Sequence, residues 1–419
     1  MEEVSPSDVS SVHAIIGPAL DEDNQEGYFG SSSAGTFMQM VKKMVQRKHG
    51  EAQQPVRPVC GGDDDDLPLL IPRPQFRQKQ VDYVLPSRKT ADSLMSSYWK
   101  YVHILYPFLD RAHTQDDYEK LWRGDSSISD ERSFICLLNI IFALSSQLSG
   151  SMELEKREGS ASVFYLRARD LLEVVESASV RLVQSYLLLG QYFQSTNETH
   201  PSWMFVGFGI RTAQSLGLHL PKTSERVSDI RTRELLRKVW HGCILMDRTL
   251  SMTYGRPCMI GPKTASGVPL PLAIDEEHLQ PRSIHQFDVR AQKQSITDFY
   301  IYSLRLYEIL HLVLFNYYST DVQPSQPIDR LHDRYFGRSS SLEGQSSVFE
   351  IEHRLSMWEK SVPDHLKLGG LERSQDSEME AVLHRQAVIL HQRYAEHPDI
   401  MPCVILTFLE DISTSACCY

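Results

Sequence analysis

Apolar positions recur every three or four residues along most of the chain, and period-two alternation is almost absent. Leu94, Tyr98, Tyr101, Val102 and Leu105 define one amphipathic stripe, with Pro86-Ser87-Arg88 as its start and Pro107 as its stop. Residues 133–148 are apolar nearly all round, which predicts a buried helix. Phe164, Ala168, Leu171, Leu172 and Val175 mark the next helix, and Leu182, Tyr186, Leu189 and Phe193 the one after. Helices over 203–216 and 235–250 continue the series. Beyond a Pro/Gly-rich connection, 255–281, a second block follows. It holds a long helix from Ile296 to Tyr317, another through Val348, Ile351, Leu355 and Trp358, and a third from Val382 to Tyr394. The pattern predicts an all-α chain, an array of antiparallel helix pairs spanning residues 84–394.

The flanks break this pattern. Residues 1–83 read as a disordered tail and linker with a short helical element at 37–45, where Phe37, Met40, Val41 and Met44 share a face. Asp63 to Asp66 form an acidic run without the flanking spacing that organises ligands around a cation, so a solvated linker is expected there. Residues 395–419 are expected to be a divergent, truncated C-terminus, because Pro398 and Pro402 interrupt the helix that should continue past Tyr394.

Composition narrows the function classes. Of 419 residues, 43 are Lys or Arg and 54 are Asp or Glu, a formal charge of −11 that argues against coating nucleic acid through bulk charge. No apolar run reaches the roughly 18–20 residues of a membrane span, and no basic-then-apolar leader opens the chain. An intracellular protein is expected, with the seven cysteines reduced. No two of them have the short spacing of a zinc site, and Cys136 and Cys243 sit in apolar helical stretches as small hydrophobes.

Enzyme chemistry finds little support. There is no phosphate loop, nucleophile elbow or His-Glu-x-x-His motif. Asp116-Asp117-Tyr118-Glu119 falls one position short of a magnesium-binding aspartate-rich motif. The informative feature is Asp247, which lies on the apolar stripe of Leu236, Val239, Trp240, Cys243 and Leu250. A carboxylate there needs a partner, since an unpaired buried charge costs several kcal/mol. Arg248 is adjacent and is expected to point elsewhere, which leaves Arg211 on the preceding helix or Arg256 in the following turn.

These residues carry a wider pattern: Trp203; then Arg211, Ala213, Leu216, Gly217, Leu218 and His219; then Glu234; Arg237 and Lys238 before Val239 and Trp240; Asp247-Arg248; and Gly255-Arg256-Pro257. Their order and spacing resemble the central regulatory domain of fungal zinc-cluster transcription factors. Tyr98, His103, Pro107 and Phe108 are similar to the start of that domain, and the segment from Tyr28 to Phe37 to its upstream Gly/Ser element. The resemblance covers about residues 28–394.

The chain departs from that family in three respects. The six-cysteine cluster that holds two zinc ions has no counterpart, since Cys60 stands alone. The second Trp after Trp240 is His241 here. The helical region beyond Tyr394 diverges.

The resemblance implies a regulator of RNA polymerase II transcription, acting in the nucleus, with a metabolic or secondary-metabolite gene set as its expected target. Zinc and promoter DNA are expected only of the family's DNA-reading module, so no cofactor, metal ligand or catalytic residue is assigned to this chain. The alternative is an effector-binding or dimerisation module that works through a DNA-bound partner. Expected partners are other transcription regulators or a second copy, and a small-molecule effector, with no membrane; an all-α enzyme ranks last.

Overall fold

The computed structural model describes residues 85–125, 127–148, 154–172, 178–279, 294–317, 348–368 and 378–394. The expected helix at 37–45, the acidic linker and the 395–419 segment lie outside them. The described residues hold helices and no strand, as the periodicity predicts.

The elements in order are α1 (Arg88–Ser97), a π-helical turn (Tyr98–His103), α2 (Arg111–Arg123), α3 (Glu131–Gln147), α4 (Leu154–Leu172), α5 (Val180–Ser195) and α6 (Thr199–Ser215). The short α7 (Pro221–Glu225) precedes the long α8 (Ile230–Tyr254) and the one-turn α9 (Pro262–Ala265). Then come α10 (Ile296–Tyr317), α11 (Val348–Ser361) and α12 (378–394).

Local chemistry sets the boundaries. Each of Ser87, Asp110, Asp130, Ser179 and Asp229 accepts a hydrogen bond from the backbone N–H three residues on, the N-cap arrangement that satisfies an orphan donor. Gly217 and Gly255 end α6 and α8 with φ of 71° and 62°, left-handed values that cost a side chain about 1 kcal/mol or more. The sequence predicts one helix that starts at Pro86-Ser87-Arg88 and runs until Pro107 stops it; instead α1 gives way at Tyr98 to the π-helical turn. The widened turn lets the adjacent Tyr98 and Trp99 both bury, edge to face at 5.0 Å.

Sequential helices pack as pairs, α3 on α4 and α5 on α6, and α3 also meets α1 and α5. The connections are short, so paired helices run antiparallel. α3 is the centre of this stack, with every side chain from Phe134 to Ser146 buried. Each fully buried Leu, Ile or Phe contributes roughly 1.5–3 kcal/mol. Its buried Asn139 and Ser146 donate to carbonyls one turn back, Ile135 and Phe142, which satisfies these two donors.

The second block is not independent of the first. α10 packs on α8, and Tyr300, Leu304, Tyr307, Leu310 and Leu314 join the main core. An adjoining face of α10 supplies Phe299 and Leu306 to a smaller core with Ile104, Leu105, Trp358, Val362, Leu366 and Leu390. A helix with so wide an apolar surface must be covered by more than one neighbour, which is how α10 ties α11 and α12 to the stack. Among the described residues no helix is long and apolar enough to cross a membrane.

Candidate regulatory site on helix α8

Residues 255–279 leave the end of α8 and return along it as a strap. Five polar side chains of α8 hold that strap. Asp247 accepts the Met259 N–H on both oxygens (3.0 and 3.1 Å) and the Ile260 N–H on Oδ2 (2.9 Å). Arg248 Nη1 donates to the Ile260 carbonyl at 2.7 Å. His241 Nε2 lies 3.0 Å from the Pro269 carbonyl. Glu234 Oε2 accepts the Leu272 N–H at 2.8 Å. Lys238 Nζ donates to Glu276 Oε1 at 3.1 Å.

Glu234, Lys238, His241 and Arg248 fall at i, i+4, i+7 and i+14, one stripe of the helix. From Glu234 to Asp247 the helix runs about 20 Å at 1.5 Å per residue. The strap from Ile260 to Leu272 could span about 40 Å if fully extended. The turn α9 takes up slack, and Ile260, Ala265, Val268, Ile274 and Leu279 bury beneath the strap as apolar anchors.

The electrostatics follow from burial. Asp247 is 4% exposed and Arg248 wholly buried, and they pair at 3.0 Å. Burial pushes the Asp247 carboxyl up, while the Met259 and Ile260 N–H groups and Arg248 pull it back. Arg248 also comes within 3.8 Å of Glu308 on α10. Burial alone would raise Glu276, but Lys238, His103 and the Arg111 N–H hold its carboxyl below the usual range. Burial lowers the pKa of His103 and of His241 to about 4. Both rings are therefore neutral near pH 7, and His241 donates from Nε2. The cleft between Asp110, Arg231, Leu235, Lys238, Glu276 and Leu279 measures about 10 Å³, room for a water and not for an organic effector.

The expected partner of Asp247 is corrected. Neither Arg211 nor Arg256 reaches it; Arg248 does. Arg211 is exposed on α6. Arg256, turned by Gly255, lies over the rings of Trp203 and Tyr254 at 5.1 and 5.5 Å. The strap wraps the end of α8, so both neighbours on the helix converge on the same backbone segment.

The other motif residues are structural at each place. Arg237 donates to Glu234 at 2.9 Å. Trp240 is wholly buried, 6.0 Å from the His219 ring, and Pro257 is exposed beside the Gly255 turn. Gly217 accepts at its carbonyl from Thr223 Oγ1, fixing the α6–α7 corner. His241, where the resemblance has a second Trp, is buried and bonded to the strap.

Sequence reasoning missed Glu276, Asp110 and Gln386, whose partners lie far away in the chain. It also gave Lys238 no role, although Glu234, Lys238 and His241 form a polar stripe beside the apolar stripe of the same helix. Asp117, from the acidic string on α2, is buried and paired with Arg181 at 2.9 Å. Among the described residues no group of His, Cys, Asp and Glu has the arrangement to hold a metal ion. Cys136 and Cys243 are buried on separate helices and Cys258 is in the strap, so these three do not fit a zinc cluster. The other four cysteines lie outside the described residues.

Residues 95–360 match the family described as the fungal specific transcription factor domain. The chain belongs to this family. It is 27% identical over 323 residues to sorbicillinoid biosynthetic cluster transcription factor 2 of Penicillium rubens, covering 75% of this chain and 42% of the relative. It is 26% identical over 359 residues to transcription factor FBD3 of Fusarium pseudograminearum, covering 82% and 45%. It is 24% identical over 336 residues to the acetamidase regulatory protein of Aspergillus fumigatus, covering 78% and 38%. The chain thus spans about half the length or less of these curated relatives. No solved structure matches it. In this fungal-specific domain, then, the motif from Trp203 to Pro257 builds the α6–α8 corner and one end of the strap, a packed core feature with no open cavity of organic-ligand size at the α8–strap cleft.

Proposed function

We propose that the chain is a transcription regulator of fungal zinc-cluster type, acting in the nucleus on RNA polymerase II genes through its regulatory domain. The observation that carries this reading is the family match across residues 95–360, in which the motif residues take positions that hold helix, strap and second block together. The role is regulatory and not catalytic. The named roles of two relatives, a sorbicillinoid biosynthetic cluster and an acetamidase, support a biosynthetic or metabolic gene set as target.

The test fuses the full chain to a heterologous DNA-binding module and reads a reporter carrying that module's site. A reproducible rise or fall in reporter output, lost in Asp247→Ala, supports the reading. Reporter output equal to that of the module alone, with the fusion expressed and nuclear, overturns it.

A second reading is an interaction module that works through a DNA-bound partner. It rests on the charge of −11 and on the seven cysteines, no two of which are separated by the two to four residues usual in a zinc site. Nanomolar binding of the isolated chain to one DNA sequence at physiological salt, resistant to scrambled competitor, would rule it out. Retention on promoter DNA only when a sequence-reading partner is added supports it.

A further inference from the structure

Residues 103–111 join the π-helical turn to α2, and side chains from four separated elements grip them. From α5, Gln184 Nε2 donates to the Phe108 carbonyl at 2.6 Å. From α8, Arg231 pairs with Asp110 at 3.3 Å. From the strap, Glu276 Oε2 accepts the Arg111 N–H at 3.1 Å, while its Oε1 takes Lys238 Nζ at 3.1 Å. From α12, Gln386 is wholly buried, and its Nε2 donates to the Ile104 carbonyl at 2.8 Å and the Ile296 carbonyl at 3.0 Å. Arg393, also on α12, donates to Tyr106 Oη at 2.7 Å and to Ser303 Oγ at 2.9 Å.

The apolar side chains of this segment are divided in the same way. Ile104 and Leu105 sit in the small core with α10, α11 and α12. Phe108 and Leu109 sit in the main core, with Tyr106 packed against both. A segment this short reaches at most about 30 Å even when extended. Its polar backbone is satisfied from both sides, and packed interiors respond to displacement by shifting neighbours, not by stretching.

We propose that residues 103–111 are a mechanical joint that couples the seating of α12 to the seating of the strap on α8. Displacing α12 frees the Ile104 carbonyl and the Tyr106 hydroxyl, and the loosened segment then withdraws the Arg111 N–H from Glu276. A protein or effector that competes for α12 is thereby felt at the strap and at the start of α2. The joint gives the domain a route by which an event at its C-terminal end alters the face built by the motif residues. It stands on the packing alone, whatever the domain's role in transcription.

The test is hydrogen exchange on the full chain, comparing the parent with Gln386→Leu, Glu276→Gln and the double variant. Gln386→Leu is expected to speed exchange about tenfold or more at Arg111 and Leu272, with amides of α4 unchanged. The double variant is expected to show less than the product of the two single effects, because both act on one joint. If Gln386→Leu does not fold, Tyr106→Phe removes one hydroxyl and is expected to give the same pattern at about threefold amplitude. Faster exchange confined to α10 and α12, with Arg111 and Leu272 unchanged, overturns the proposal. So do single effects that multiply independently, or a rise at α4 equal to that at Arg111, which marks global loosening.

Discussion

The ring of Phe108 lies directly against the backbone of Gly242: a Cβ built on that glycine would fall 2.4 Å from Phe108 Cε1. Phe108 is itself wholly buried, with Tyr300 edge-on at 6.4 Å. The ring has nowhere to retreat. Gly242→Ala gains up to about 1 kcal/mol in helix propensity, but the clash costs about 1–3 kcal/mol or more. A net loss and a lower Tm are expected in a thermal melt. Adding Phe108→Leu to Gly242→Ala should recover part of the loss, which propensity alone does not predict.

Asp247 and the arginines give a sharper comparison. Asp247→Ala leaves Arg248 buried without its nearest acid and orphans the Met259 and Ile260 N–H groups, a loss on the scale of about 3–5 kcal/mol. Arg211→Ala alters an exposed side chain and is expected to stay within about 0.5 kcal/mol. Denaturant midpoints of the two variants separate these outcomes. Proteolysis within 255–279 should also speed up in Asp247→Ala alone.

Lys238 and Glu276 should show the asymmetry of a largely buried ion pair. Lys238→Met leaves the Glu276 carboxylate, 16% exposed, without its lysine and is expected to cost about 1–3 kcal/mol, less than a wholly buried orphan charge would. Lys238→Met with Glu276→Gln removes both charges and keeps an oxygen for the Arg111 N–H. The double variant should therefore be more stable than Lys238→Met. Denaturation of the parent, both singles and the double measures this directly.

Acid should destabilise the fold before most carboxylates protonate. Burial holds His103 and His241 at about 4 in the folded chain, below the ordinary 6.5. The unfolded chain binds these protons first, so the stability is present above about pH 6.5 and is lost as pH falls towards 4. Each histidine adds up to about 1.4 kcal/mol per pH unit to that slope. Asp247, raised by burial, offsets part of the loss at the acid end. Urea titrations from pH 7 to 5 should show falling stability, with a shallower slope in His241→Gln.

The helices were legible because a helix is written locally. Periodicity marks α10 from Ile296 to Tyr317, and the all-round apolar run marks α3 as buried, since a stripe repeats wherever one face meets a core. Asp247 was legible too: a carboxylate on an apolar stripe must be satisfied, and it is. Only the tertiary structure decided its partner. Sequence spacing favours residues one or two turns away or on a neighbouring helix, yet the strap folded back and delivered two backbone N–H groups and left Arg248 beside Asp247. Glu276 had no local signature, because Lys238 and Arg111 meet it across 38 and 165 residues of chain. The same holds for Gln386, whose donors go to carbonyls 282 and 90 residues away. Burial can be read from periodicity, because it depends on which face of a helix a residue occupies. Pairing across the fold cannot, because it depends on which backbone arrives there.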